Sequence, residues 1–167
     1  MNENLNLLDD LLKVKQKIDK SVIKRFSKDP LCQQFATIYL ESLTAKAMIK
    51  ENEKSLTHFI KDRFDTFITT AHSKEKFLFS LCPDSSKNSH QYCLEIVCID
   101  AQFLIFTIEN LFRKYNLKIT KMLHPLLAVY FNNQKKVILI DRPKKDATLI
   151  STSYIKFEQP LDADTFS

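Results

Sequence analysis

Apolar positions recur every three or four residues along the N-terminal part of the chain. This spacing places one apolar stripe on each of three segments and therefore predicts amphipathic helices. Asp29 and Pro30 mark the start of the second helix, because an N-cap carboxylate followed by proline at the first helical position is a typical start signal. The predicted helices cover residues 4–26, 30–51 and 55–72. We expect residues 1–72 to form an N-terminal helical part.

Beyond residue 72 the pattern changes to that of β-strands. One further helix, residues 100–115, interrupts the strands, and the polar residues 84–90 predict a loop. The predicted strands are residues 76–81, 92–99, 117–131, 136–140 and 151–157. The order of strand, helix, strand hairpin and strand is typical of a split βαβ, ferredoxin-like antiparallel sheet with helices on one face. We therefore expect an α+β fold.

Single residues predict the local geometry of this second part. Asp100 is placed to cap the N-terminus of the fourth helix, and Asn116 to end it in a left-handed conformation. Pro125 lacks a backbone N–H, so the long strand around it should break, bulge or lie at an edge. Asn132 and Asn133 predict the tight turn of the following hairpin, since asparagine tolerates a positive φ.

The chain has 167 residues and not one glycine, which excludes several classes of enzyme. Phosphate-binding loops, Rossmann dinucleotide sites, kinase glycine loops and G-x-S-x-G elbows all depend on glycine. The N-terminus also lacks the basic and continuous apolar regions of a signal peptide, and no apolar run is long enough to span a membrane. We therefore predict a cytoplasmic protein with no membrane partner.

The net charge of +5 is spread along the chain, with only short lysine pairs at residues 135–136 and 144–145. A dedicated nucleic-acid binder concentrates its basic groups beside stacking aromatic residues, so we expect no nucleic-acid partner. A basic, ferredoxin-like nucleic-acid-binding domain nevertheless stays open as an alternative function.

Candidate chemistry is sparse. The four cysteines are not spaced as C-x-x-C and predict buried thiols, and the four histidines share no ligand spacing with them, so no metal site is expected. No serine or cysteine lies in a recognisable nucleophile motif. We expect no catalytic residue in this chain.

The segment that begins at Glu95 resembles the N-terminal region of the very large bacterial NAD-specific glutamate dehydrogenases. In that family a strand leads to an aspartate, a Phe-Leu helix start, a Gly-Leu step that ends the helix, and a strand that carries His-Pro. The matching positions are Asp100, Phe103-Leu104-Ile105, Asn116-Leu117 and His124-Pro125. Residues 153–158 resemble a later strand of the family, and the resemblance spans most of residues 31–158. The chain departs from the family at Gln102, Phe106, Thr107 and Asn116, where the family has proline, aspartate, serine and glycine.

This resemblance implies an ACT-like domain, a module used for amino-acid sensing and subunit contacts. The implied function is that of a non-catalytic regulatory or assembly domain of a large NAD-dependent glutamate dehydrogenase, which converts glutamate to 2-oxoglutarate and ammonia. NAD and the active site would belong to other domains of the parent enzyme, and this chain would bind no cofactor. Residues 73–167 would form the ACT-like part, packed with the helices as one unit and ending before the last helix and strand of the βαββαβ order. A stand-alone ACT-like sensor is a further alternative.

The resemblance also directs attention to Asp100, Ala101 and Gln102 as candidate ligand-binding residues. ACT domains commonly receive small polar ligands in the loop between the first strand and helix, and a helix N-terminus offers N–H groups to a carboxylate. The competing interpretation is a plain N-cap at Asp100 that occupies these donors. The other motif residues, Phe103, Leu104, His124 and Pro125, are expected to be structural. Expected partners are an amino-acid effector, other domains of the parent enzyme and a second copy of the chain.

Overall fold

The computed structural model describes residues 2–44, 52–75, 77–83 and 92–158. Four helices lie within these ranges: α1 (Asn2–Arg25), α2 (Pro30–Glu41), α3 (Glu53–His72) and α4 (Leu104–Lys114). The strands are β1 (Phe77–Pro83), β2 (Tyr92–Ile99), β3 (Ile119–Leu123), β4 (Leu126–Phe131), β5 (Val137–Asp141) and β6 (Thr148–Phe157). The predicted α+β class is confirmed.

Two of the helix starts have side-chain caps. The Asp29 carboxylate accepts a hydrogen bond of 3.1 Å from the Cys32 N–H, as the sequence predicts. The Asn52 side chain caps α3 in the same way, at 2.8 Å from the Ser55 N–H. The second helix ends at Glu41, earlier than predicted, and the remainder of its predicted range at 45–51 lies outside the described residues. The predicted loop at 84–90 lies outside them as well.

Within the described residues the strands form one sheet in the order β1-β2-β6-β4-β5, and every pairing is antiparallel. β3 also pairs with β6, next to β4. β3 and β4 are therefore two halves of one long strand, and they meet at His124 and Pro125, where pairing with β6 is interrupted. The predicted break at Pro125 is confirmed.

β6 lies between β2 and the β3–β4 strand and runs antiparallel to both. β2 and the β3–β4 strand are consequently parallel to each other, and α4 connects them. This is the split βαβ arrangement that the sequence order predicts. β5 adds an outer strand beyond β4.

The helices lie on both faces of the sheet, which differs from the predicted arrangement on one face. Cys93 and Val97 of β2 point into a core with α1, α2 and α3, whereas Leu94, Ile96 and Cys98 point into a second core with α4. β2 is therefore buried on both sides. The larger core joins helical residues such as Phe35 and Phe67 to residues of the sheet.

Side chains of the helices also cover part of the β5 edge. The Val137 N–H donates a hydrogen bond of 3.0 Å to Nε2 of His72, and the Ile140 N–H donates one of 2.9 Å to Oε1 of Gln34. These contacts occupy backbone donors that an edge strand otherwise offers to another chain.

None of the helices within the described ranges combines the length and apolar character needed to cross a membrane.

Candidate functional site

The break between β3 and β4 places an imidazole against two serine hydroxyls. Nδ1 of His124 lies 2.9 Å from Oγ of Ser153 and 3.1 Å from Oγ of Ser151. Both serines lie in β6, where alternate residues point to the same face, and they are 1% and 0% exposed. His124 is half-buried. The hydroxyls therefore hold the imidazole at the sheet surface on the side of α4.

Pro125 explains why the histidine occupies this position. Proline restricts the preceding residue to an extended conformation and cannot donate to the ladder. Its carbonyl still accepts a hydrogen bond of 3.1 Å from the Thr152 N–H, so pairing with β6 resumes at once. The interruption turns His124 toward Ser151 and Ser153, whose hydroxyls are its side-chain partners.

Burial lowers the pKa of His124, and the nearby Asp100 carboxylate opposes this shift. The neutral imidazole carries one N–H donor and one acceptor nitrogen, and Nδ1 faces the serine hydroxyls in either role. Asp100 follows β2 and His124 lies in the β3–β4 break, so the two residues lie on either side of β6.

Asp100 does not cap α4, so the predicted N-cap is wrong. The N-cap is Phe103, in the left-handed conformation with φ 65° and ψ 11°, and its side chain makes no capping hydrogen bond. The physical reason is the turn at residues 101–103, in which the Leu104 N–H bonds the Ala101 carbonyl at 3.1 Å and delays the helix. The Asp100 N–H instead donates to the Leu149 carbonyl at 2.8 Å, which ties the end of β2 to β6.

The other candidate residues surround this turn. Ala101 and Gln102 are exposed, and the Phe103 side chain is 67% exposed. Leu104 packs against the core beneath α4, and Pro125 is buried. The sequence candidates therefore fall into an outer loop, Asp100 to Phe103, and an inner support formed by Leu104 and the His124–Pro125 step.

This arrangement is suited to holding a small polar ligand. The Asp100 carboxylate can accept hydrogen bonds from an ammonium group, and the start of α4, without a side-chain cap, can donate to a carboxylate. It is poorly suited to nucleophilic catalysis. A catalytic triad uses the two ring nitrogens for different partners, whereas here both hydroxyls share Nδ1 and are buried away from a substrate.

Among the residues that the structure describes, no group of three or more histidine, cysteine or acidic side chains is placed to hold a metal ion.

A second polar cluster lies on the opposite face of the sheet, between α3, β1 and β2, and sequence reasoning missed it. Nε of Arg63 lies 3.1 Å from Oε1 of Glu95, and Nη1 lies 3.5 Å from Sγ of Cys82. The Tyr154 hydroxyl donates to Sγ of Cys93 at 2.9 Å. An acidic residue within an apolar strand is the signal that could have indicated a buried partner for Glu95.

Comparison with known proteins gives no relative of this chain. No protein-family model matches the chain, and neither the curated proteins nor the solved structures contain a match. The resemblance to the glutamate dehydrogenases therefore stays a prediction from the residues quoted above.

Proposed function

We propose that this chain is a non-catalytic, ACT-like regulatory module that binds a small amino-acid effector at the loop from Asp100 to Phe103. One observation carries the proposal: in the split βαβ sheet β6 lies between β2 and the β3–β4 strand, so the loop that follows β2 and the His124 step lie on either side of the same strand. The start of α4 has no side-chain cap, which favours a ligand over the plain N-cap interpretation.

The ligand class follows from the groups present. An α-amino acid carries an ammonium group that suits the Asp100 carboxylate and a carboxylate that suits the N–H groups of α4 that follow Leu104. Gln102 is exposed beside them and can bond a polar side chain of the ligand. Glutamate, aspartate and arginine are the first candidates.

The wider role rests on the family resemblance. The module would belong to a large, cytoplasmic NAD-dependent glutamate dehydrogenase whose other domains bind NAD and catalyse the reaction. Binding of the effector would bias the distant active site through contacts of this module with those domains, as a coupling between two sites requires.

A thermal-shift screen of the purified chain against the amino acids, NAD and short nucleic acids tests the proposal. We expect one amino acid to raise the melting temperature saturably, because it binds only the folded state. Asp100→Asn should abolish the rise. His58→Gln is the matched control, since His58 is exposed on α3, which packs on the opposite face of the sheet.

Each other outcome has a distinct meaning. No shift with any amino acid would overturn the sensor and favour an assembly role in contact with other domains. Salt-sensitive retention on nucleic acid would support the alternative function, because phosphate binding releases counterions.

A further inference from the structure

We propose that Cys82 and Cys93 form an oxidative modification site, at which a hydroperoxide such as hydrogen peroxide converts the two thiols into a cross-strand disulfide between β1 and β2. The inference is independent of the ligand site, which lies on the other face of the sheet. All four cysteines are reduced thiols in the structure.

Strand register provides the geometry. Cys82 and Cys93 are directly opposed in the antiparallel β1–β2 pair, so their side chains leave the sheet on the same face. Opposed residues of an antiparallel pair have Cα atoms about 4.5 to 5.5 Å apart, which lies within the range that a disulfide spans. Sγ of Cys82 lies 3.4 Å from the Cys93 carbonyl oxygen, so the thiol is already turned toward its partner strand.

The surroundings assign different roles to the two thiols. Cys82 is half-buried and reachable by a small oxidant, whereas Cys93 is fully buried. Burial raises the pKa of Cys82 to about 11, although the Arg63 guanidinium opposes the rise. Cys82 is therefore the first thiol to react, slowly at neutral pH, and Cys93 is the thiol that resolves the product.

The reaction balances in two steps. The Cys82 thiolate attacks one oxygen of the peroxide, the O–O bond breaks, and a sulfenic acid forms while hydroxide leaves and takes up the proton of the Cys82 thiol as water. The Cys93 sulfur then attacks the Cys82 sulfur, the S–O bond breaks, and the departing hydroxide takes the Cys93 proton as a second water. Two thiols lose two electrons and two protons, and the peroxide accepts both.

Cys32 and Cys98 serve as internal controls. Cys98 faces Phe77 across the β1–β2 pair, and Cys32 lies on α2, so neither has a thiol opposite it in the sheet. Burial raises the pKa of both thiols. If the oxidant reacted with all four cysteines alike, it would not favour a disulfide between Cys82 and Cys93.

The test treats the reduced, folded chain with hydrogen peroxide, quenches it with an alkylating agent and maps disulfides by mass spectrometry of a non-reducing digest. We expect one Cys82–Cys93 linkage, with Cys32 and Cys98 alkylated. Its rate should rise about tenfold for each pH unit between pH 7 and 9, because the thiolate fraction rises by that factor below the thiol pKa. Oxidation in urea should give mixed pairings.

Variants provide the second measurement. In Cys93→Ser, Cys82 should oxidise without forming a disulfide. In Cys98→Ser, the Cys82–Cys93 disulfide should form as in the wild-type chain. The linked chain should also unfold at higher urea concentration, since the disulfide closes the loop between β1 and β2 in the unfolded state. Sulfinic acid at Cys82 with an unmodified Cys93 in the wild-type chain would overturn the proposal, as would a linkage to Cys32 or Cys98. The test remains valid if a variant fails to fold, because the disulfide is also mapped in the wild-type chain.

Discussion

The guanidinium of Arg63 and the carboxylate of Glu95 form an ion pair inside the larger core, with Nε and Oε1 3.1 Å apart. Their side chains are only 11% and 6% exposed. The guanidinium also lies over the rings of Phe59 and Tyr154, at 5.5 and 5.3 Å from their centroids. α3 and β2 are therefore joined by a charged contact within an apolar interface.

Removal of one partner of this pair should be much more costly than replacement of both. Above pH 7, where Glu95 is ionised, Glu95→Ala leaves the buried Arg63 charge without compensation, so we expect the free energy of unfolding to fall by about 3 to 5 kcal/mol. Arg63→Met combined with Glu95→Leu should recover most of that loss, because no buried charge remains. Urea unfolding of the single and double variants measures both. Equal losses in Glu95→Ala and the double variant would contradict the prediction.

The same carboxyl should give stability an unusual dependence on pH. Burial raises the pKa of Glu95 to about 7, although Arg63 opposes the shift. Between the ordinary carboxyl pKa and pH 7 the folded chain binds a proton that the unfolded chain has lost, so the contribution of Glu95 to stability falls as pH rises through this window. The full effect is on the order of 3 kcal/mol.

Glu95→Gln isolates this contribution, since the amide has nearly the shape of the carboxyl group and cannot titrate. Unfolding by urea is measured at several pH values from 4.5 to 7.5 for the wild-type chain and the variant. Relative to the variant, the wild-type chain should lose stability as pH rises. A constant difference between the two would show that Glu95 keeps an ordinary pKa.

Local features of the fold were predictable where one residue decides the geometry. Asp29 with Pro30 starts α2, Pro125 interrupts a strand, and Asn116 adopts a φ of 54° at the end of α4. Phe103 has the same left-handed conformation without any sequence signal, since an aromatic residue rarely adopts it. The turn around it explains why Asp100 was wrongly predicted as a cap.

Long-range relationships were harder to predict. The nearly continuous apolar sequence of β2, residues 92–99, is typical of a strand covered on both faces and could have indicated helices on both sides of the sheet. Asp100 and His124 were each recognisable in the sequence. Ser151 and Ser153 were not, because only the register of β6 against the β3–β4 break brings them to the imidazole.

The covered edge of β5 leads to a prediction about self-association. Gln34→Ala exposes the Ile140 N–H, and His72→Ala exposes that of Val137, so each should reduce stability by about 1 to 3 kcal/mol. The double variant should also associate through the uncovered edge. Light scattering at several concentrations detects this association. Gln33→Ala on the same helix is the control, and a monomeric double variant would show that other contacts protect the edge.

His124 should make the chain less stable in mild acid. Burial lowers its pKa, so below the ordinary histidine pKa of about 6.5 the unfolded chain binds a proton more readily than the folded chain. The contribution of His124 to stability is therefore present above this pH and is lost as pH falls, the reverse of the effect of Glu95.

His124→Gln removes the titration while it retains groups that can bond the Ser151 and Ser153 hydroxyls. Between pH 7.5 and 5.5 the wild-type chain should lose more stability than His124→Gln. Parallel curves for the wild-type chain and His124→Gln would mean that the imidazole titrates alike in both states, and that Ser151 and Ser153 do not hold it in a neutral form.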